Sequence, residues 1–147
     1  MEAVAITWEQ MVQDASGTIY EDWYEEGIRC IIQRGPTSLC AYIGVPLNHP
    51  LAGFEYEALP IRVHGGLTFS DKGDGKYRPE GFYWYGWDYS HCDDYSFYYD
   101  TSPLKGFDHS GDRKWTVEEV KKEVIYDAIY DFKKLVTLAE KISNKSV

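Results

Sequence analysis

The sequence predicts an α+β fold: a mostly antiparallel β-sheet, a long C-terminal α-helix packed on one face, and a short N-terminal helix. Three observations carry this. Val117, Val120, Val124, Ala128, Phe132, Leu135 and Leu138 recur at helical spacing, with Ile125, Ile129, Val136, Ala139 and Ile142 widening the stripe, so residues 117–142 read as an amphipathic helix. Segments 27–34 (GIRCIIQR) and 39–45 (LCAYIGV) are rich in β-branched residues and are joined by Gly35-Pro36-Thr37-Ser38, the pattern of an antiparallel hairpin. Residues 81–88 (GFYWYGWD) place Phe82, Trp84 and Gly86 on one side of a strand and Tyr83, Tyr85 and Trp87 on the other. Such a strand needs a cover on both faces: a helix on one, and a ligand, a loop or a second subunit on the other.

The remaining elements follow in order. Thr7 and Gln10 have capping-box spacing, which starts a helix that runs to about Ala15 and stops at Ser16-Gly17. The polar-aromatic run TIYEDWYEEG fits no single class. Pro46-Leu47-Asn48-His49-Pro50 breaks the pairing of the hairpin, and a loop or short helix follows through Ala58. Ile61–His64 reads as a third strand running into Gly65-Gly66, and Asp71–Lys76 is a loop by composition. Thr116 and Glu119 form a second capping box at the head of the long helix.

The chain has 147 residues and no internal repeat or linker, and it reads as a single domain, 1–147. Its net charge of −9 excludes binding to a nucleic-acid polymer by a basic footprint, while leaving room for a small anion held by a few arginines. Arg29, Arg34, Arg62, Arg78 and Arg113 are the candidates. Cys30, Cys40 and Cys92 are an odd number without a CxxC pair, which fits neither a disulfide framework nor a zinc module. No apolar run reaches the roughly 20 residues that span a bilayer, and no signal-peptide pattern opens the chain, so the expected setting is cytoplasmic.

The polar chemistry is concentrated between Ile61 and Ser96. His64-Gly65-Gly66 predicts a tight turn whose backbone amides could approach an anion, and Thr68 and Ser70 add hydroxyls if a strand continues beyond it. Asp88, His91 and Asp94 follow at intervals of three. Asp88 is placed to orient His91. Together with His64 these residues have the types of an acid–base pair (His64, Asp88, His91) or of a metal site (His64, Asp88, His91, Asp94). Cys92 adjoins His91, but sequence neighbours usually point apart. His49 and His109 read as loop residues.

Several stretches resemble a family of small proteins from phages, prophages and bacteria, most of them uncharacterised. They are Cys40–Val45, His49-Pro50, Val63–Ser70, Trp84–His91 and Lys114–Val120. The resemblance covers roughly residues 27–140 and leaves residues 1–26 as an N-terminal extension. Its specific parts are the HGGLTxS and WxGxDxxH segments. This chain carries Cys92 and Asp93 where the pattern has small residues, so the turn there is expected to differ. By analogy with small phage proteins, the resemblance implies an anti-defence role through sequestration of a nucleotide signal.

These readings converge on a binding protein for a small polar or nucleotide-like ligand that is held without turnover. Its expected site is His64, Gly65, Gly66, Thr68, Ser70, Trp84, Trp87, Asp88 and His91, with the tryptophans stacking on the ligand and no cofactor needed. A homo-oligomer is expected, because exposed aromatic surface needs a cover. The rivals are a metal- or His/Asp-dependent hydrolase of a phosphoester or glycosidic bond, and an acidic protein–protein inhibitor.

Overall fold

The computed structural model of the chain describes residues 5–101 and 109–145. Its centre is a five-stranded antiparallel sheet in the order β1-β2-β3-β5-β4. The strands are β1 (Ile19–Glu25), β2 (Ile28–Arg34), β3 (Leu39–Pro46), β4 (Phe69–Lys72) and β5 (Phe82–Asp88). The helices are α1 (Trp8–Gln13), α2 (Phe97–Thr101), α3 (Val117–Glu123) and α4 (Ile129–Lys145), with a single-turn 3-10 element at Tyr56–Ala58. The α+β architecture with its long C-terminal helix is as the sequence predicts.

The unclassified run before residue 27 is an edge strand. β1 pairs with β2 through a two-residue turn, Glu26-Gly27, in which both residues have positive φ (50° and 86°). A turn of that hand matches the twist of the strands it joins. Residues 8–25 therefore belong to the body of the fold. Met11 on α1 is 1% exposed, and Arg34 donates to the carbonyls of Met11 (2.9 Å) and Val12 (3.2 Å), closing the end of that helix.

Ile61–His64 is not a strand. Ile61 enters the core, but the backbone N–H of Arg62 donates to Asp131 Oδ2 (2.9 Å) and that of His64 to Glu123 Oε1 (3.1 Å). Backbone donors that would have extended the sheet go to carboxylates on the C-terminal helix instead.

That helix is continuous but not uniform. A π-type turn, Val124–Ala128, with the Ile129 N–H donating to the Val124 carbonyl, separates α3 from α4. Its cause is visible in the apolar pattern. Val120, Val124, Ala128 and Phe132 are all fully buried and follow one another in steps of four. At about 100° per residue such a run drifts by roughly 120° across an α-helix. The π turn accommodates about one extra residue and returns all four side chains to the core. The same insertion brings Glu123 and Asp131, eight residues apart, to within about 20° of a common direction. Both then face the 61–64 segment.

The sheet is covered on both sides. The helix-facing side presents Cys30, Ile32, Ala41, Ile43, Val45, Tyr85 and Trp87 to Val120, Val124, Ala128 and Phe132. The opposite side carries Ile31, Gln33, Tyr42, Gly44, Trp84 and Gly86 and lies under the 73–81 loop, where the Pro79 carbonyl accepts from Trp84 Nε1 at 3.1 Å. Of the three covers the alternation of β5 allowed, a loop is the one observed.

Candidate functional site

Asp94 organises the polar centre of the molecule. It is 6% exposed, and its carboxylate accepts from three donors: Oδ2 from His64 Nε2 (2.6 Å) and the His91 backbone N–H (3.0 Å), and Oδ1 from Trp115 Nε1 (2.8 Å). Burial works to raise its pKa, but the three donors together outweigh it and hold the group below the usual carboxylate range. The turn that places Asp94 runs from His91, with the Asp94 N–H returning to the His91 carbonyl (3.0 Å) and Asp93 at φ 72°. A short polar side chain tolerates that left-handed geometry, so Cys92-Asp93 closes a turn.

His64 is fixed on several sides. Its ring stacks on Tyr89 (centroids 5.1 Å apart, planes 4° apart) and leans on Trp115 (4.8 Å). The Tyr89 hydroxyl donates to Glu123 Oε1 (2.5 Å) and accepts from Trp87 Nε1 (3.0 Å). Burial, and then the Glu123 carboxylate, push the Tyr89 phenol far above its ordinary range, so it stays protonated. Glu123 thus ties both Tyr89 and the His64 backbone to α3. In the tautomer that donates from Nε2 to Asp94, the lone pair of the His64 ring lies on Nδ1.

His91 lies beside this ring, with the two centroids 5.4 Å apart. The side chains are part-exposed, 26% for His64 and 33% for His91. His91 Nε2 lies 3.3 Å from Asp88 Oδ1, but the contact is not aligned as a hydrogen bond, and that buried nitrogen has no hydrogen-bond partner among the described residues. Gly65 (φ 72°) rests directly on the His91 ring, and a Cβ there would collide with it. The glycine pair therefore serves a turn, with the Gly66 N–H on the Val63 carbonyl (2.9 Å), and a close approach. Thr68 Oγ1 reaches Asp88 Oδ2 at 3.5 Å, a weak contact, while Asp88 Oδ1 accepts from the Ser90 N–H at 3.1 Å.

His64, Gly65, Gly66, Thr68, Asp88, His91 and Asp94 are thus brought to one corner. The other expected residues are not. Ser70 lies opposite Tyr85 in the β4–β5 register, and its hydroxyl accepts from the Tyr56 N–H (3.0 Å). Trp84 and Trp87 project from opposite faces of β5 and are 0% and 1% exposed, so neither offers a ring to a ligand. Their size and apolarity are used in the two cores. Among the described residues no group of three or more His, Cys, Asp or Glu side chains is placed to hold a metal ion. Asp94 is committed to His64 and Trp115, while Asp88 lies toward His91. Cys92 is exposed, and His49 Nδ1 accepts from the Leu51 N–H (3.0 Å) within its own loop.

Tyr89, Trp115 and Glu123 position the corner and are not conspicuous as site residues in the sequence. Trp115 alone left a signal, as the apolar residue just ahead of the Thr116 capping box, where both reciprocal bonds form. Among the described residues no helix is long and apolar enough to cross a membrane. Comparison with known proteins finds no matching family model, no similar curated protein and no similar solved structure.

Proposed function

We propose that this protein binds a small polar ligand at the His64–His91 corner and holds it without turnover. The observation that carries the reading is the pair of part-exposed imidazoles, 5.4 Å apart, each beside a carboxylate and both set against the Gly65-Gly66 turn. With His64 Nε2 engaged by Asp94 and His91 Nε2 buried against Gly65, the two imidazoles would meet a ligand through their Nδ1 atoms, and Asp88 would accept from a ligand hydroxyl or amine. Retention is favoured because Asp94, with all three of its donors inside the protein, serves to hold the corner in shape. Base stacking on Trp84 or Trp87 forms no part of the reading. The resemblance to phage proteins supplies a setting in which such retention would withdraw a host signal from circulation.

A second reading rests on one specific contact. The 2.6 Å bond from His64 Nε2 to a buried carboxylate orients the ring, which suits a general base acting through Nδ1 with His91 as the acid. One experiment separates the two. The purified protein is incubated with small phosphorylated and cyclic nucleotides, with and without EDTA, and the ligand is recovered after denaturation. Unchanged ligand, with affinity falling at least about tenfold in His91→Ala, supports retention, since a hydrogen bond to a charged group contributes about 1.5–3 kcal/mol. Product formation that disappears in His64→Ala would replace retention by acid–base turnover. Absence of binding to every member of the set would remove both.

A further inference from the structure

The five arginines differ in what occupies their guanidinium groups. Arg29 makes a bidentate pair with Asp22 (3.0 and 2.9 Å), and Arg62 makes one with Asp131 (2.9 Å each). Arg113 pairs with Glu119, and Arg34 donates to the carbonyls of Met11, Val12, Gly35 and Pro36. Among the described residues, Arg78 has no such partner. Its guanidinium carbon lies 4.5 Å from the centre of the Tyr42 ring and 4.4 Å from that of Phe69, and its Nε is buried without a hydrogen bond. The two rings meet edge to face across Gly86, the residue paired with both Tyr42 and Phe69, whose missing side chain leaves the room. An unpaired guanidinium held between two rings is positioned but not satisfied, in a chain whose net charge is −9.

Its place in the register ties it to the corner. Asp88 follows Gly86 by two residues, about 7 Å along the same face of β5. Both charges reach Cys40, the cross-strand partner of Asp88: burial pushes the Cys40 thiol up to about 11, Asp88 adds to the rise and Arg78 opposes it. Thr68, next to Phe69 in the chain, reaches Asp88, which lies 3.3 Å from His91.

We infer that Arg78 is the anion anchor of the His64–His91 corner, and that the ligand carries a phosphate or carboxylate group together with a hydrogen-bonding polar group. The inference rests on the binding reading above and narrows its ligand class. The anionic group takes the free edge of the guanidinium while the polar group meets His91 and Asp88, which keeps the anion away from the Asp88 carboxylate.

The test is heteronuclear NMR of the whole protein, following the arginine Nε–H and histidine ring signals as glycerol phosphate, and separately glycerate, is added, each probe carrying an anionic group together with free hydroxyls. The expected result is a saturable shift of Arg78 Nε–H together with the His91 ring, with the Nε–H signals of Arg29, Arg34, Arg62 and Arg113 unmoved. Arg78→Gln should then weaken binding about tenfold or more, and Arg78→Lys should restore only part of it, because the ammonium lacks the planar fork. Shifts at the histidines without Arg78 would overturn the anchor and leave the corner as a binding site. Shifts at Arg78 without the histidines would overturn the joining of the two. No shift at either would overturn this inference, whereas the nucleotide experiment above judges the corner itself. The wild-type titration stands whether or not a variant folds.

Discussion

The two faces of the sheet are closed by different means. On the helix side the contact is between buried hydrophobic strand residues, Tyr85 and Trp87 among them, and the buried stripe Val120, Val124, Ala128 and Phe132. On the loop side a bare Gly44 lies against Trp84, a bare Gly86 lies under Tyr42, and the loop closes over them through a carbonyl on Trp84 and a guanidinium on two rings. Three buried side-chain polar atoms lack partners among the described residues, Gln33 Oε1, Arg78 Nε and His91 Nε2, and they lie on the loop side or at its edge. The difference is one of chemistry. Among the described residues the helix face leaves no buried side-chain polar atom without a partner, whereas the loop side and its edge leave three, so the loop cover is the less completely satisfied of the two.

The comparison can be broken at the helix face first. Phe132→Ala removes a fully buried ring touching His49 and Tyr85 and should cost about 3–5 kcal/mol in urea unfolding. A cost below about 1 kcal/mol would mean that the helix is not the principal cover. Next comes Gly44→Ala on the loop side. A Cβ at that position falls 2.6 Å from a Trp84 ring that has no exposed surface through which to withdraw. The expected loss is about 1–3 kcal/mol by overpacking, with the proposed ligand binding weakened as the loop is displaced. Unchanged stability would show that the loop face is loosely fitted.

The smallest effect tests the corner where the two covers meet. The folded-state pKa of Asp94 is depressed, so its contribution is present above the ordinary carboxylate range and is lost as pH falls through that range and below it. Thermal melts of the wild type should therefore decline more steeply on acidification below about pH 4 than those of Asp94→Asn. The asparagine variant should also change the tautomer of His64, because its amide can offer a donor to Nε2 where the carboxylate accepted. Parallel acid profiles would mean that Asp94 is not the hub its three donors indicate.

Elements with a strong local cause were legible from residues alone. The β2–β3 hairpin, the two sides of β5 and the helix beginning at Thr116 are each written in a short period or a cap. β1 was hidden because its residues alternate between exposed and half-exposed, and its turn is Glu26-Gly27 in place of the usual Asn-Gly. The unpaired 61–64 segment was hidden because its partners, Glu123 and Asp131, lie 59 and 69 residues away from the groups they accept from. At the site, the gathering of His64, Asp88, His91 and Asp94 was within reach because three of the four lie within one seven-residue stretch. The roles of Trp84 and Trp87 were not, since an aromatic ring looks the same in a sequence whether it faces a core or a ligand.

The sequence by itself determined the class of fold, the strand faces and the neighbourhood of the polar corner, because hydrophobic period, turn chemistry and capping act over a few residues. Only the tertiary structure decided which carboxylate holds which histidine, which of five arginines is left unpaired, and that a π turn brings Glu123 and Asp131 to the same segment. Those outcomes depend on distance and direction between chain-distant side chains, and no local pattern encodes them.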